Sequence, residues 1–130
     1  MKDIMDDVAI QYYNTGYNCS QSIIKSVTEY FNKPVSPSAH DLCANVKRGF
    51  GVGNICCAIV GGTMALGLYF DEKTAAQLNV MLLDSIQQRF GGINCAMLSR
   101  KMRNDCDALV GYVADITRQI IEDNKSLIKA

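Results

Sequence analysis

Apolar residues recur along this chain at three- and four-residue steps, which is typical of amphipathic helices, and few runs alternate as a strand would. The longest apolar run, Gly49–Phe70, carries no charged side chain and holds six of the ten glycines. It opens with a loop-like stretch, GFGVG, after which Asn54 is expected to cap a helix that continues to Phe70. Because this helix is apolar on every side, we expect it to be buried at the centre of the fold.

The same pattern predicts six further helices, separated by glycine, proline and capping residues. In chain order they cover about 3–13, 19–31, 38–47 and 72–90, then a short helix from 95 and a long one from about 106. The expected N-caps are Asn18, Asp71, Asn94 and either Asn104 or Asp105, and Gly91 is expected to end the helix 72–90. The prediction is therefore a single all-α domain, 1–130, a compact bundle of about five to seven helices around the glycine-rich one.

A membrane span is the alternative explanation for the run 49–70, since about 20 apolar residues are enough to cross a bilayer. The glycine loop leaves roughly 15 helical residues, the length of a buried core helix. Neither an aromatic belt nor a one-sided excess of Lys and Arg flanks the run. We therefore expect a core helix and no membrane span.

Composition narrows the classes of partner. Lysine plus arginine and aspartate plus glutamate number 13 each, and the net charge of 0 argues against nucleic acid as the main partner. The same balance removes repulsion between copies and is compatible with a homodimer. The N-terminus has no apolar signal region, so we expect a cytoplasmic protein. Six cysteines in a cytoplasmic chain favour metal or redox chemistry over structural disulfides.

Four of the six cysteines fall in the first turn of a predicted helix: Cys19, Cys57, Cys95 and Cys106. The unpaired N–H groups and the dipole at a helix N-terminus favour thiolate, which is the form that binds metal and attacks disulfides. If the four N-termini converge, they form a four-sulfur site in a positive field. Cys43 lacks this placement and is expected to pack in the core.

Simpler explanations apply to the same residues. Free cysteine is among the most buried residue types and often packs as a small hydrophobe. The chain has no C-x-x-C pair, so neither a zinc knuckle nor a thioredoxin-like motif is present. Its one histidine, His40, lies in the Pro/Ser loop or early in the third helix, which makes Cys–His nucleophilic catalysis unexpected.

Together these motifs resemble the family of redox-active proteins named for the pattern C…GCAxxG…C…C. Cys19 stands in GYNCSQ, residues 57–61 (CAIVG) match the CAxxG core, Cys95 follows Phe90-Gly91, and Cys106 is the last cysteine. The resemblance covers roughly residues 16–120. A similar domain accompanies haem in some sulfate-reducer cytochromes, where an iron–sulfur site has been suggested.

One position departs from the family pattern, which has glycine before its second cysteine where this chain has Cys56. Other members resembling this chain carry cysteine one place earlier, so the functional residue is either Cys56 or Cys57. A helix turns about 100° per residue, so we do not expect both side chains to point at one centre.

Residues and resemblance together favour a small redox protein that transfers electrons to an unidentified redox partner. Its expected cofactor is an iron–sulfur cluster, [2Fe–2S], bound by Cys19, Cys57 (or Cys56), Cys95 and Cys106, with Asn18 and Gly61 beside it. One alternative is a metal-free thiol–disulfide oxidoreductase or redox sensor that uses the same cysteines. Another is a non-catalytic helical module with a structural zinc or with core cysteines.

Overall fold

Helices account for all the regular structure in a computed structural model of the chain, which describes residues 2–33, 35–103 and 105–129 without the side chains of residues 2–4 and 6. One isolated antiparallel bridge joins Ile55 to Asn94. The α-helices of these ranges are α1 (Lys2–Asn14), α2 (Cys19–Tyr30), α3 (Pro37–Leu42), α4 (Cys57–Tyr69), α5 (Glu72–Phe90), α6 (Cys95–Lys101) and α7 (Asp107–Asp123). The all-α prediction is confirmed for this part of the chain.

Helix α4, the helix of the apolar run, packs against α2, α5 and α7. Most of its side chains are buried, and α7 contributes Leu109, Val113 and Ile120 to the same core. Burying an aliphatic side chain of this size stabilises the fold by about 1.5–3 kcal/mol. Helix α1 packs against α7 and α2, with Met5 and Ala9 buried in the same core.

Among the described residues, no helix combines the length and apolar character that a membrane crossing requires.

Three of the predicted caps are confirmed. The side chain of Asn18 accepts a hydrogen bond from the Gln21 N–H, and Asp71 accepts one from the Thr74 N–H in the same way. Asn94 accepts from the second and third N–H groups of α6. Gly91 ends α5 in a left-handed conformation, φ 82°, which glycine adopts without steric cost.

Three predicted boundaries are wrong. Helix α3 ends at Leu42 and does not reach residue 47, because Cys43 leaves the helical conformation and the chain then turns. Helix α4 begins at Cys57, and Asn54 does not cap it. Asn54 and Ile55 instead pair with the segment before α6, where the Cys56 N–H donates to the Ile93 carbonyl at 2.9 Å.

Helix α7 begins at Asp107, so Cys106 precedes it instead of lying in its first turn. Of the two expected caps, Asn104 lies outside the described residues. The other, Asp105, accepts only a long 3.4 Å hydrogen bond from the Asp107 N–H.

Helices α2 and α4 cross at very close range, and glycine makes the crossing possible. A Cβ atom built on Gly61 would lie 2.7 Å from both the Cα and the carbonyl oxygen of Ser20. On the neighbouring face, a Cβ on Gly62 would lie 2.8 Å from side-chain atoms of Leu82 and Thr117. The backbones of α2 and α4 therefore touch at a point that no side chain can occupy, and this contact fixes the N-terminus of α2 over that of α4.

This contact predicts opposite effects for two glycines of α4. Gly61→Ala forces the α2 backbone away and should lower the free energy of unfolding by about 1–3 kcal/mol, as overpacking does. Gly67→Ala adds a Cβ that meets nothing within 4 Å. It should raise stability by up to about 1 kcal/mol, because alanine is the better helix former. Urea unfolding of both variants checks the pair, and equal effects would contradict the crossing.

Candidate functional site

Five cysteines line one cavity of about 290 Å³ at the end of the bundle where α2, α4, α6 and α7 begin. They are Cys19, Cys56, Cys57, Cys95 and Cys106. The polar part of the wall also includes Tyr13, Asn18, Lys47, Arg48 and Ser99, and Leu98 and Leu109 form its apolar part. The structure therefore brings together every cysteine that the sequence singled out, and their roles there stay predictions.

Each cysteine reaches the cavity from the start of a helix. Cys19, Cys57 and Cys95 are the first residues of α2, α4 and α6, and Cys106 directly precedes α7. Cys56 and Cys57 both line the cavity, and the choice between them as the functional residue stays a prediction. The turn of 100° per residue does not apply to them, since Cys56 lies outside the helix in an extended conformation, ψ 131°.

Asn18 organises the α2 side of the cavity. Its Oδ1 accepts hydrogen bonds from the Gln21 N–H and the Ser20 hydroxyl, both at 2.9 Å, and lies 3.8 Å from the Cys57 sulfur. Its Nδ2 donates to the Cys43 carbonyl at 2.9 Å, which attaches the end of α3 to the start of α2. Asn18 therefore holds the wall in place as well as capping a helix.

Cys19 and Cys57 line the same cavity, and each shifts the pKa of the other. The Cys19 thiol donates to the Cys57 sulfur, which lowers the pKa of Cys57 to about 7 against the opposing effect of burial. Ser20 adds to this effect, because its backbone N–H donates to the same sulfur at 3.2 Å. The same pairing raises the pKa of Cys19, whose proton is held between the two sulfurs, and burial raises it further.

Burial dominates at the other cysteines of the cavity. It raises the pKa of Cys56 to about 11 and also raises the pKa of Cys95 and of Cys106, with neighbouring sulfurs adding to the effect. The expectation that all four helix-start cysteines favour thiolate is therefore wrong for Cys19, Cys95 and Cys106. Desolvation opposes charge on every buried sulfur, and only Cys57 receives enough hydrogen-bond donors to reverse it.

Three sequence candidates lie away from the cavity lining. Cys43 is buried, as expected, with its thiol 3.4 Å from the Met64 sulfur. His40 lies beside the ring of Tyr17. Gly61 contacts Ser20 and Ile23 of α2, so its place in the fold is the helix crossing and not the wall of the cavity.

The sequence analysis missed the basic residues of the wall, Lys47 and Arg48. They precede the turn 49–53, and four consecutive residues from Arg48 into that turn, 48–51, have positive φ angles of 58°, 61°, 65° and 82°. A Cβ on Gly49 would lie 2.3 Å from the Asn54 nitrogen, so this turn requires glycine there. The signal in the sequence was a Lys-Arg pair directly before a glycine loop.

The donor set can be compared with what a metal requires. Five thiols are enough for the four cysteines that bind a [2Fe–2S] cluster or a structural zinc. Within the ranges that the structure describes, however, no three Cys, His, Asp or Glu side chains are grouped so that they could hold a metal ion. As they stand, the cysteines form the pair Cys19 and Cys57 with three further cysteines along the same wall.

Comparison with known proteins agrees with the arrangement of the cysteines. A family model described as "Putative redox-active protein (C_GCAxxG_C_C)" matches residues 17–120, a range that includes all six cysteines. No curated protein and no solved structure matches the chain. The resemblance noted in the sequence is thereby confirmed, and the chain belongs to the C_GCAxxG_C_C family of redox-active proteins.

Proposed function

We propose that the five-cysteine cavity is a thiol redox site and that Cys57 and Cys19 are its reacting pair. The observation that carries this proposal is geometric: the Cys57 sulfur, at the start of α4, accepts a 3.2 Å hydrogen bond from the Ser20 N–H, and Cys19, the residue before Ser20 in α2, lines the same cavity. Dithiol redox sites need a sulfur that is thiolate near neutral pH and a second thiol within reach of it. Among the described cysteines, only this pair combines the two properties.

The proposed reaction is a thiol–disulfide exchange in two steps. The Cys57 thiolate attacks one sulfur of a substrate disulfide, which forms a mixed disulfide and releases the other half of the substrate as a thiolate. Cys19 then loses its proton and attacks the Cys57 sulfur, forming the Cys19–Cys57 disulfide and releasing the second half. Two electrons pass from the protein to the substrate, and the Cys19 proton leaves with a product thiolate.

The surroundings suit the two roles. Cys57 is only 2% exposed, so its thiolate depends on donors from the protein, which are the Cys19 thiol and the N-terminus of α2 at Ser20. Once Cys57 is in a mixed disulfide, it no longer accepts the Cys19 proton. The interaction that raises the pKa of Cys19 is then lost, which favours the second attack at that moment.

An iron–sulfur centre that transfers electrons is the second candidate, and the number of cysteines at one cavity favours it. Cys19, Cys57 (or Cys56), Cys95 and Cys106 would hold the group, and Lys47 and Arg48 would offset the charge of its thiolates. Such a group supplies one-electron chemistry when bound.

The thiol pair predicts a specific pH profile. Alkylation of Cys57 by iodoacetamide should reach half of its maximal rate near pH 7, because thiolate is the reacting form. Cys19→Ala removes the largest cause of that low pKa and should move the midpoint up by about one pH unit. Peptide mass spectrometry follows each cysteine separately. Cys43→Ala is the control and should leave the Cys57 midpoint in place, and a wild-type midpoint above pH 8.5 would contradict the pairing.

Mild oxidation should yield one disulfide, Cys19–Cys57, with the remaining thiols still open to alkylation. In Cys19→Ser, oxidised glutathione should instead leave a stable adduct on Cys57, because the resolving thiol is gone. Peptide mapping distinguishes the products, and Cys43→Ser serves as a control that should form the same disulfide as the wild type. A random mixture of disulfides among the cysteines would contradict the dithiol proposal.

Metal and labile-sulfide analysis of protein purified without oxygen separates the two candidates. The dithiol proposal predicts less than stoichiometric iron, and an absorption spectrum without visible bands. About two irons and two sulfides per chain, lost in Cys106→Ser, would replace it by the iron–sulfur proposal. Stoichiometric zinc without sulfide would make the site structural and overturn both.

A further inference from the structure

Two cations line the cysteine cavity, and a third lines a depression beside it. Lys47 and Arg48 line the cavity itself, and a shallow depression beside it is lined by Arg48, Cys95 and Arg100. No aspartate or glutamate among the described residues lines either hollow. All three cations are exposed, and none forms an ion pair with a carboxylate of the described chain.

Several cations elsewhere in the structure are engaged by the protein. Arg118 is paired with Asp115 and Glu122, and Lys25 lies 3.3 Å from Glu29. The net charge of the chain is 0, so the unpaired cations at the mouth are a local feature and not the result of an overall excess. Guanidinium groups without a partner, held next to a cavity, form a binding surface for carboxylate or phosphate, which they can bind through two parallel hydrogen bonds.

The backbone at Arg48 supports the same conclusion. Arg48 is in the left-handed region, φ 58° and ψ 39°, where any residue except glycine is disfavoured. Glycines are abundant in this turn, yet this position carries arginine. Backbone strain of this kind is concentrated at functional sites, where the side chain compensates for its cost.

Access to Cys57 limits the size of the substrate. The residue is 2% exposed at the wall of a cavity of about 290 Å³, which admits the narrow sulfur-bearing arm of a small molecule. A folded protein presenting a flat surface cannot bring its sulfur to that depth. The substrate should therefore be small, or at least its reacting part should be.

We infer that the disulfide reduced at this site is a small molecule with carboxylate groups, which bind Arg48 and Arg100 while its sulfur enters the cavity. This inference rests on the proposed thiol function. The covalent steps are those given above: Cys57 takes one half of the small disulfide, the other half leaves as an anionic thiol, and Cys19 releases the first half.

The test compares two disulfides on the full-length, reduced protein. Oxidised glutathione carries carboxylates, whereas bis(2-hydroxyethyl) disulfide is neutral. For each disulfide, the rate constant for its reaction with Cys57 is measured at low ionic strength from the loss of alkylatable Cys57. It is divided by the rate constant for the reaction of the same disulfide with N-acetylcysteine, a model thiol, which corrects for the intrinsic reactivity of the disulfide. We expect this ratio to be roughly tenfold higher for oxidised glutathione than for the neutral disulfide, because a cluster of cations raises the local concentration of an anionic reactant. Added salt should reduce the difference.

The decisive variant is Arg48→Gln/Arg100→Gln, in which the normalised rate for oxidised glutathione should fall to that for the neutral disulfide measured on the same variant. Lys33→Gln/Arg89→Gln is the matched control, since it removes two charges from residues that stack on Tyr69 and Tyr112. It should keep the preference. Equal ratios in the wild type, or equal losses in both double variants, would overturn the inference and leave the thiol function standing. If the neutral disulfide reacted with Cys57 no faster than with N-acetylcysteine, both the inference and the proposed thiol function would be overturned.

Discussion

The contact between the backbones of α2 and α4 at Ser20 and Gly61 is the constraint on which the site depends. It sets the first residue of α2 above the first residue of α4, and those residues are Cys19 and Cys57. With a side chain at position 61 the helices would have to separate, and the Ser20 N–H would move away from the Cys57 sulfur. The glycine of the CAxxG motif thus acts on the cysteine through helix packing, one turn away from it.

Two opposing effects decide which sulfur carries charge. Burial alone can raise a thiol pKa by several units, and hydrogen bonds to a charged group each contribute about 1.5–3 kcal/mol in the other direction. Cys56 receives backbone hydrogen bonds from Ala58 and Ile59, yet its pKa remains raised because burial outweighs them. Cys57 also has the Cys19 thiol as a donor, and that thiol reverses the balance. The neighbouring cysteine, more than the helix dipole, makes the difference between these adjacent residues.

The cavity combines this thiol pair with an electropositive entrance. Asn18 ties α2 to the end of α3, and the left-handed turn at 48–51 directs the chain past the cavity, with Lys47 and Arg48 on the wall. The reactive sulfur therefore shares its cavity with two cations, Lys47 and Arg48. These cations would attract an anionic disulfide in the thiol reaction, and they would offset the negative charge of the thiolates around an iron–sulfur cluster. They are therefore compatible with both proposed functions.

Local signals in the sequence determined the helices and most of their ends. Asn18, Asp71 and Asn94 cap the helices that they were expected to cap, because a capping hydrogen bond joins residues only two or three positions apart. The family and its cysteine pattern could also be identified from the chain, because motif spacing is a property of the sequence and does not depend on the fold. The boundary at Asn54 failed because its backbone bonds to residues 93–95, about forty positions later, and no local pattern records that pairing.

Only the tertiary structure decided how the cysteines differ from one another. The sequence placed four of them alike, at helix starts, and predicted the same thiolate character for all. Their protonation depends on burial and on neighbours from other helices, which are long-range properties: Cys19 and Cys57 are 38 positions apart in the chain and adjacent in space. The basic entrance likewise joins Arg48 and Arg100 from distant segments. Sequence spacing therefore identified the reactive residue types, while packing determined which of them forms the pair.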